Sequence, residues 1–219
     1  MCRILFEKTG NAVYISHLDL MRLFQRAFKR SGLLLKHTQG LNPRPSVSIA
    51  LPLSVGVSSN CELLDFELVG EPVACDTVHT ELNQVLVDGV KVLSVYENYG
   101  KLRDLTYLDC AVTLEYDSGI PADTEEGLKA LFSQETLMVE KRGKNGPVEQ
   151  DIAPMIRKFC VEQTDDCTLT IHARVCCQNP TLNPMLIPAA IERYLPDCKP
   201  SFVRCCRKEI YNTEEKIFR

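Results

Sequence analysis

The chain has 219 residues, 45% of them hydrophobic and 25% charged, with 11 Cys, no Trp and a formal charge of -4; at roughly 150 residues per domain it holds one or two folded domains. No apolar stretch approaches the ~18 to 20 residues of a bilayer-crossing helix, and Arg3, Glu7 and Lys8 bring charge too early for a secretory leader. These features exclude a membrane protein and set a cytoplasmic location as the expectation.

Residues 3–8 alternate as a strand, with Ile4 and Phe6 on one face and Leu5 and Glu7 on the other. A helix is expected over residues 17–31, with Ser16 as N-cap, Asp19 at the third helical position and Gly32 placed to close it. A Gly/Pro-rich loop over residues 39–45 leads to strands at 46–51 and 62–69, separated by a turn around 56–60. A helix over 73–87 and a strand over 90–96 complete a β-α-β-β-α-β order, and residues 99–105 read as a linker. The rhythm then repeats as strand 106–116, helix 124–134, strands 136–141 and 168–176, helix 184–195 and strand 202–211. An insertion near 144–161 reads as a hairpin return plus a short helix within 151–159. The expected fold class is therefore α+β: two tandem ferredoxin-like (βαββαβ) domains, 1–98 and 106–219, each an antiparallel sheet with helices on one face. No residue-level repeat links the halves.

The cysteines form no C-x-x-C and no C-x3-C-x2-C, so their spacing offers no zinc or iron-sulfur site. Cys176-Cys177 and Cys205-Cys206 are adjacent in expected strands, where neighbours point to opposite faces. In a reducing compartment they read as small packing side chains. His79 and His172 have no ligand-like spacing. Asp65 and Glu67 share one strand face but show no partner, and carry no acid-base assignment.

Charge is uneven. Residues 1–50 hold eight bases against Glu7 and Asp19, a balance of +6 that leaves -10 for the remainder. On the first helix Leu20, Met21, Leu23, Phe24, Ala27 and Phe28 fall in an arc of about 160 degrees, and Arg22, Arg26, Lys29 and Arg30 in another of about 100 degrees. A solvated helix face usually mixes signs, whereas only Asp19 answers these four bases, and Lys36, His37 and Arg44 continue them. Such a field suits RNA or an acidic protein surface. In the loop Thr38-Gln39-Gly40-Leu41-Asn42-Pro43-Arg44-Pro45, Gly40 permits close backbone approach, the prolines stiffen, and Gln39, Asn42 and Arg44 offer donors for phosphates or base edges. The same loop also serves as a rigid crossover. Gly56-Val57-Ser58-Ser59 lacks the Lys of a phosphate-binding loop, so nucleotide binding is unsupported. His17 and His37 are the weak candidates for a catalytic acid and base in metal-free RNA cleavage.

The run from Tyr14 through Ile15-Ser16-His17-Leu18-Asp19-Leu20-Met21 to Arg22, then Arg26-Ala27, Gly32, Gln39-Gly40-x-Asn42-Pro43-x-Pro45, Ala50-Leu51-Pro52-Leu53-x-Val55-Gly56 and Glu62-x-x-Asp65, resembles the radical SAM-linked proteins. These are a bacterial domain family of unknown function, and the resemblance spans residues 3–70. It implies genes beside, or fused to, a radical SAM protein with a cobalamin-binding-like region. Leu41 and Arg44 depart from the family's loop pattern. With no cluster motif in this chain, the resemblance places the iron-sulfur cluster and S-adenosylmethionine on a separate partner.

The first expectation is a non-catalytic accessory or substrate-recognition module of a radical SAM enzyme in tRNA or rRNA modification. Its RNA- or partner-binding residues are Arg22, Arg26, Lys29, Arg30, Lys36, Gln39, Asn42 and Arg44, with no cofactor in this chain and no DNA partner. One alternative is a metal-independent endoribonuclease, since tandem ferredoxin-like halves with a His-bearing basic helix look like the RAMP proteins that cut CRISPR repeat RNA. The other is a protein-only adaptor.

Overall fold

In the computed structural model, which describes residues 1–98, 100–143 and 146–219, β1 (Cys2–Lys8) is followed by a 3-10 turn at Gly10–Tyr14 and by α1 (His17–Arg30). Then come β2 (Val47–Ile49), β3 (Ser58–Phe66), α2 (Cys75–Val85) and β4 (Val90–Glu97). Tyr99, which opens the expected linker, lies outside the described residues, as do Lys144 and Asn145 of the expected insertion. These elements, with Phe218 and Arg219, make up one unit, Met1–Asp104; Leu105–Ile217 makes up the other. The described residues hold four α-helices and antiparallel strands, an α+β architecture. No described helix is long and apolar enough to cross a membrane.

In the first unit β1 pairs with β3 and β4, and β2 pairs with β3, all antiparallel, which gives the order β4-β1-β3-β2. Ile4, Phe6, Leu64, Phe66 and Val92 form the sheet side of a core that Leu20, Phe24, Ala27 and Phe28 of α1 and Val78 and Leu82 of α2 complete. The Phe6 and Phe24 rings meet edge to face, 4.7 Å between centroids. Gly89 is required where β4 begins: its φ is +80, and a Cβ there would stand 2.4 Å from the Thr9 carbonyl oxygen.

Two of the eight N-terminal bases are interior. Lys8 continues the Ile4–Phe6 alternation into the core at 1% exposure, and its Nζ donates to the carbonyls of Val13 (3.1 Å) and Ile15 (2.8 Å). Arg3 is fully buried. Its Nε and Nη2 donate to the two carboxylate oxygens of Asp65, directly opposite on β3, at 2.6 and 3.0 Å. Nη2 also reaches the Gly100 carbonyl at 2.8 Å, and the guanidinium lies over Phe218. Asp65 thus has the partner that the sequence leaves unseen, and Glu67 accepts an ion pair from Lys36 at 3.0 Å.

The second unit runs β5 (Leu105–Glu115), α3 (Thr124–Phe132), β6 (Met138–Gly143), β7 (Gly146–Asp151), β8 (Ile156–Asp165), β9 (Thr168–Cys176), α4 (Leu186–Tyr194) and β10 (Phe202–Asn212). Its sheet has the order β10-β5-β9-β8, again antiparallel. This corrects the expected placement of one strand. The strand expected at 136–141 is β6, which among the described residues pairs with β7 alone, in a separate hairpin, and the sheet position belongs to β8. The short helix expected within 151–159 is a single 3-10 turn, Ala153–Met155. Pro154 cannot donate within a longer helix, and the Asp151 carboxylate holds the chain by accepting from the Leu137 and Ala153 N–H groups at 2.8 and 3.2 Å.

A second cross-strand Arg–Asp pair occupies the corresponding strands of this unit. Arg174 on β9 faces Asp109 on β5, donating at 2.7 and 2.8 Å, with Glu215 at 2.6 Å and the Tyr211 ring 3.8 Å away. In the first unit the arginine is on the first strand and the aspartate on the third; here the two have changed places.

Candidate functional site

The site begins with the way α1 is started. Ser16 Oγ accepts from the Asp19 N–H at 3.2 Å and donates to the Asp19 carboxylate at 2.7 Å, and that carboxylate receives Arg22 Nη1 at 2.9 Å. The Ser16 hydroxyl first, then Arg22, hold the Asp19 carboxyl below its ordinary range. A cap and an acid in the first turn satisfy the helix N-terminus, while Leu20, Phe24, Ala27 and Phe28 anchor the opposite face. Arg22, Arg26, Lys29 and Arg30 are consequently held in solvent. Among the described residues Arg22 is the one of the four in an ion pair, and its side chain is still 64% exposed.

After Gly32, at φ +75, the chain turns back along α1. Leu33, Leu34 and Leu35 follow, with Leu34 64% exposed between two buried neighbours. A groove of about 620 Å³ forms here. Arg22, Arg26 and Lys29 line it from the helix, His37 and Pro45 from the loop arms, and Phe28 and the three leucines give it an apolar floor. A second groove of about 560 Å³ lies along the other flank of α1, where Arg22 and Arg26 recur beside Asp19, Arg30 and Val85. Arg22 and Arg26 therefore form the ridge between two troughs.

The loop is a closed projection. Thr38 N–H donates to the Arg44 carbonyl at 2.8 Å and Thr38 Oγ1 accepts from the Arg44 N–H at 3.0 Å, while His37 and Pro45 pair as an isolated bridge. Gly40 sits at φ +143, and the Leu41 side chain is fully exposed. Gln39, Asn42 and Arg44 are exposed on the same projection.

The structure brings Arg22, Arg26, Lys29 and His37 to one cavity, but not every expected residue. Lys36 turns its ammonium to Glu67 and lines a different cavity, of about 420 Å³. Arg30 faces the second groove, where its Nη1 approaches the Val85 carbonyl at 3.4 Å. His17 opens α1, about 18 Å of helical rise before Lys29, and lines neither groove. Its Nδ1 is buried and, among the described residues, without a hydrogen-bond partner. Neither groove brings together the two imidazoles considered as acid and base. The sequence reading missed the floor, although Leu33-Leu34-Leu35 directly after a helix-closing glycine was the signal for it. Among the described residues no group of three or more His, Cys, Asp or Glu comes together to hold a metal ion.

The protein-family model described as "Uncharacterized protein conserved in bacteria (DUF2344)" matches residues 2–184. The chain belongs to the DUF2344 family. Both grooves of this DUF2344 chain lie inside the matched region. No curated protein matches it. Among solved structures it is similar to a chain of the archaeal box H/ACA sRNP Nop10-Cbf5 complex, at 9% identity and a TM-score of 0.47, covering 94% of this chain and 46% of that one. It spans less than half the length of that relative. An unknown protein from Galdieria sulphuraria is similar at 11% identity and a TM-score of 0.26, with 97% of each chain covered. Neither likeness bears on activity.

Proposed function

We propose that this chain is a non-catalytic module that presents RNA to a radical SAM enzyme acting in RNA modification, in the cytoplasm, with the iron-sulfur cluster and S-adenosylmethionine supplied by the partner. The observation that carries the RNA reading is the groove beside α1: three cations on its rim, an apolar floor and, among the described residues, no carboxylate in its lining. Removing the two interior bases from the charge count sharpens it. Arg3 and Lys8 stabilise the fold, so the positive field comes from α1 and the loop, where four of the six remaining bases sit on one helix. The partner reading is supported by the resemblance of residues 3–70 to radical SAM-linked proteins, all of them within the DUF2344 match. The orders β4-β1-β3-β2 and β10-β5-β9-β8 support reading each unit as a ferredoxin-like domain, with β6–β7 as an inserted hairpin in the second.

The test is charge reversal of Arg22→Glu with Arg26→Glu, read by retention of bulk tRNA at low salt. Both side chains are exposed, so the circular dichroism spectrum and melting temperature stay unchanged. Loss of retention supports the reading. Retention equal to the parent chain at about 50 mM salt would falsify it and leave the acidic protein surface as the occupant.

A further inference from the structure

We infer that the groove takes single-stranded RNA, with an unstacked base against the apolar floor, and discriminates against the RNA duplex. This rests on the RNA reading above and names the form of RNA the site recognises. A surface built only to hold a phosphate backbone needs cations and polar donors; an apolar floor contributes nothing to it. The groove has both. Arg22, Arg26 and Lys29 are spread over about 10 Å of helical rise, a cationic edge along which a backbone can lie. Beneath them Leu34 is 64% exposed between Leu33 and Leu35, which are buried. Along its length an A-form duplex offers that leucine no base face, because its bases are stacked on one another and its accessible surface is phosphate, 2′-hydroxyl and base edges. A single strand offers a π-face at every nucleotide.

The walls suit the edges of a base. His37 is exposed at the mouth and Gln25 half-buried in the lining, so an imidazole and a carboxamide provide donors and acceptors beside the leucines. The volume, about 620 Å³, lies in the range of sites that enclose a small ligand. Charge selects among occupants of an apolar groove. An acidic protein helix would satisfy the rim, but neither Gln25 nor the exposed Leu34 requires it, whereas a nucleotide uses the cations, the floor and the polar walls together.

The probes are a 5′-labelled single-stranded RNA of roughly 12 nucleotides and the blunt duplex of the same sequence, titrated with the full chain and followed by fluorescence anisotropy at about 50 and 200 mM salt. The single strand binds at least about tenfold more tightly than the duplex, with a log-log salt slope near -2 for three backbone contacts. Leu34→Ser lowers single-strand affinity by about fivefold or more while leaving that slope unchanged; Arg26→Gln makes the slope shallower by about 0.7. Duplex binding as tight as single-strand binding, or full single-strand affinity in Leu34→Ser, overturns this inference and leaves the broader RNA reading standing. Failure of both probes to bind at the lower salt overturns both.

Discussion

Replacing Asp65 with Asn removes the counter-charge of an arginine that has no exposed surface. Among the described residues Asp65 accepts three hydrogen bonds, from Arg3 Nε at 2.6 Å, Arg3 Nη2 at 3.0 Å and Asn98 Nδ2 at 3.0 Å. An amide keeps one acceptor oxygen and turns an NH2 group toward the guanidinium or toward Asn98. Breaking one side of a buried pair costs about 3–5 kcal/mol, because the remaining charge stays in a poorly solvating site. For a chain of this size that lowers the melting temperature by roughly 2–4 °C per kcal/mol, or roughly 6–20 °C in all. Two features set the value within that span. Phe218 covers the guanidinium, which keeps water from replacing the carboxylate, while Arg3 Nη1 already lacks a partner among the described residues, so the pair starts short of full satisfaction. The assay is thermal and urea unfolding of Asp65→Asn beside a double-mutant cycle of Arg3→Met, Asp65→Leu and the two together. The double variant recovers most of the loss, since an apolar pair of similar volume is close to neutral in such sites, less about 1 kcal/mol for each hydrogen bond that Asn98 and Gly100 then lack. RNA affinity of the folded fraction stays at the parent value, because Asp65 lines neither groove. A loss of RNA binding in Asp65→Asn without a loss of stability refutes the structural assignment.

Phe24→Ala removes a ring with no exposed surface that meets Phe6 edge to face; the expected cost is about 3–5 kcal/mol in urea unfolding, and a value below about 1 kcal/mol is incompatible with the packing described. Ser16→Ala costs about 1 kcal/mol through the lost N-cap. It also acts on pH dependence: a carboxyl depressed in the folded state stabilises the fold above its unfolded pKa, and that contribution is lost as pH falls through the folded value. Because Ser16 is the first cause of the depression, acid weakening of α1 starts at higher pH in Ser16→Ala, as an NMR titration of Asp19 reads; an unmoved titration refutes it. Burial pushes the thiols of Cys177 and Cys205 up to about 12 and that of Cys110 higher still, whereas Cys160 and Cys167 are exposed. Iodoacetamide at neutral pH therefore labels Cys160 and Cys167 first and the other three only after unfolding. Peptide mapping that finds Cys205 labelled early contradicts the burial.

What the sequence made legible, and what it hid, follows from the range over which each signal acts. The bounds of α1 are local: Ser16 accepts from Asp19 three residues on, and Gly32 takes the left-handed backbone a helix end favours. Strand β8 was hidden because an edge strand is paired on one side and much of its surface faces water, so Arg157, Lys158, Glu162 and Gln163 blur the alternation that β9 shows through Leu169, Ile171 and Ala173. The Arg–Asp pairs were hidden for another reason. Arg3 and Asp65 stand 62 residues apart and Asp109 and Arg174 65 apart, so no window contains both, and the exchange of the two residues between units erases any repeat at residue level. Lys8 was legible in principle, since it continues the face of Ile4 and Phe6; counting it as surface charge overstated the N-terminal field.

The residues that carry the resemblance to radical SAM-linked proteins divide by what they touch. Ser16 caps α1, Gly32 ends it at φ +75, Gly56 turns the chain at φ +85 while its N–H reaches the Val13 carbonyl at 2.9 Å, and Asp65 neutralises Arg3. Each has a structural task sufficient to explain its type. Arg22, Arg26, Gln39 and Asn42 do not: all four are exposed, Arg22 among the described residues pairs with an acid that is itself 59% exposed, and folding gains little from such contacts. Substitutions in the first group therefore lower stability and reduce apparent binding only through the fraction of chain that is folded, whereas those in the second lower the RNA affinity of the folded chain at constant stability. Plotting affinity against melting temperature for both groups separates the two mechanisms. If Arg22 and Arg26 variants fall on the line set by Ser16, Gly32 and Asp65 variants, these exposed bases have no task of their own and the interface reading fails.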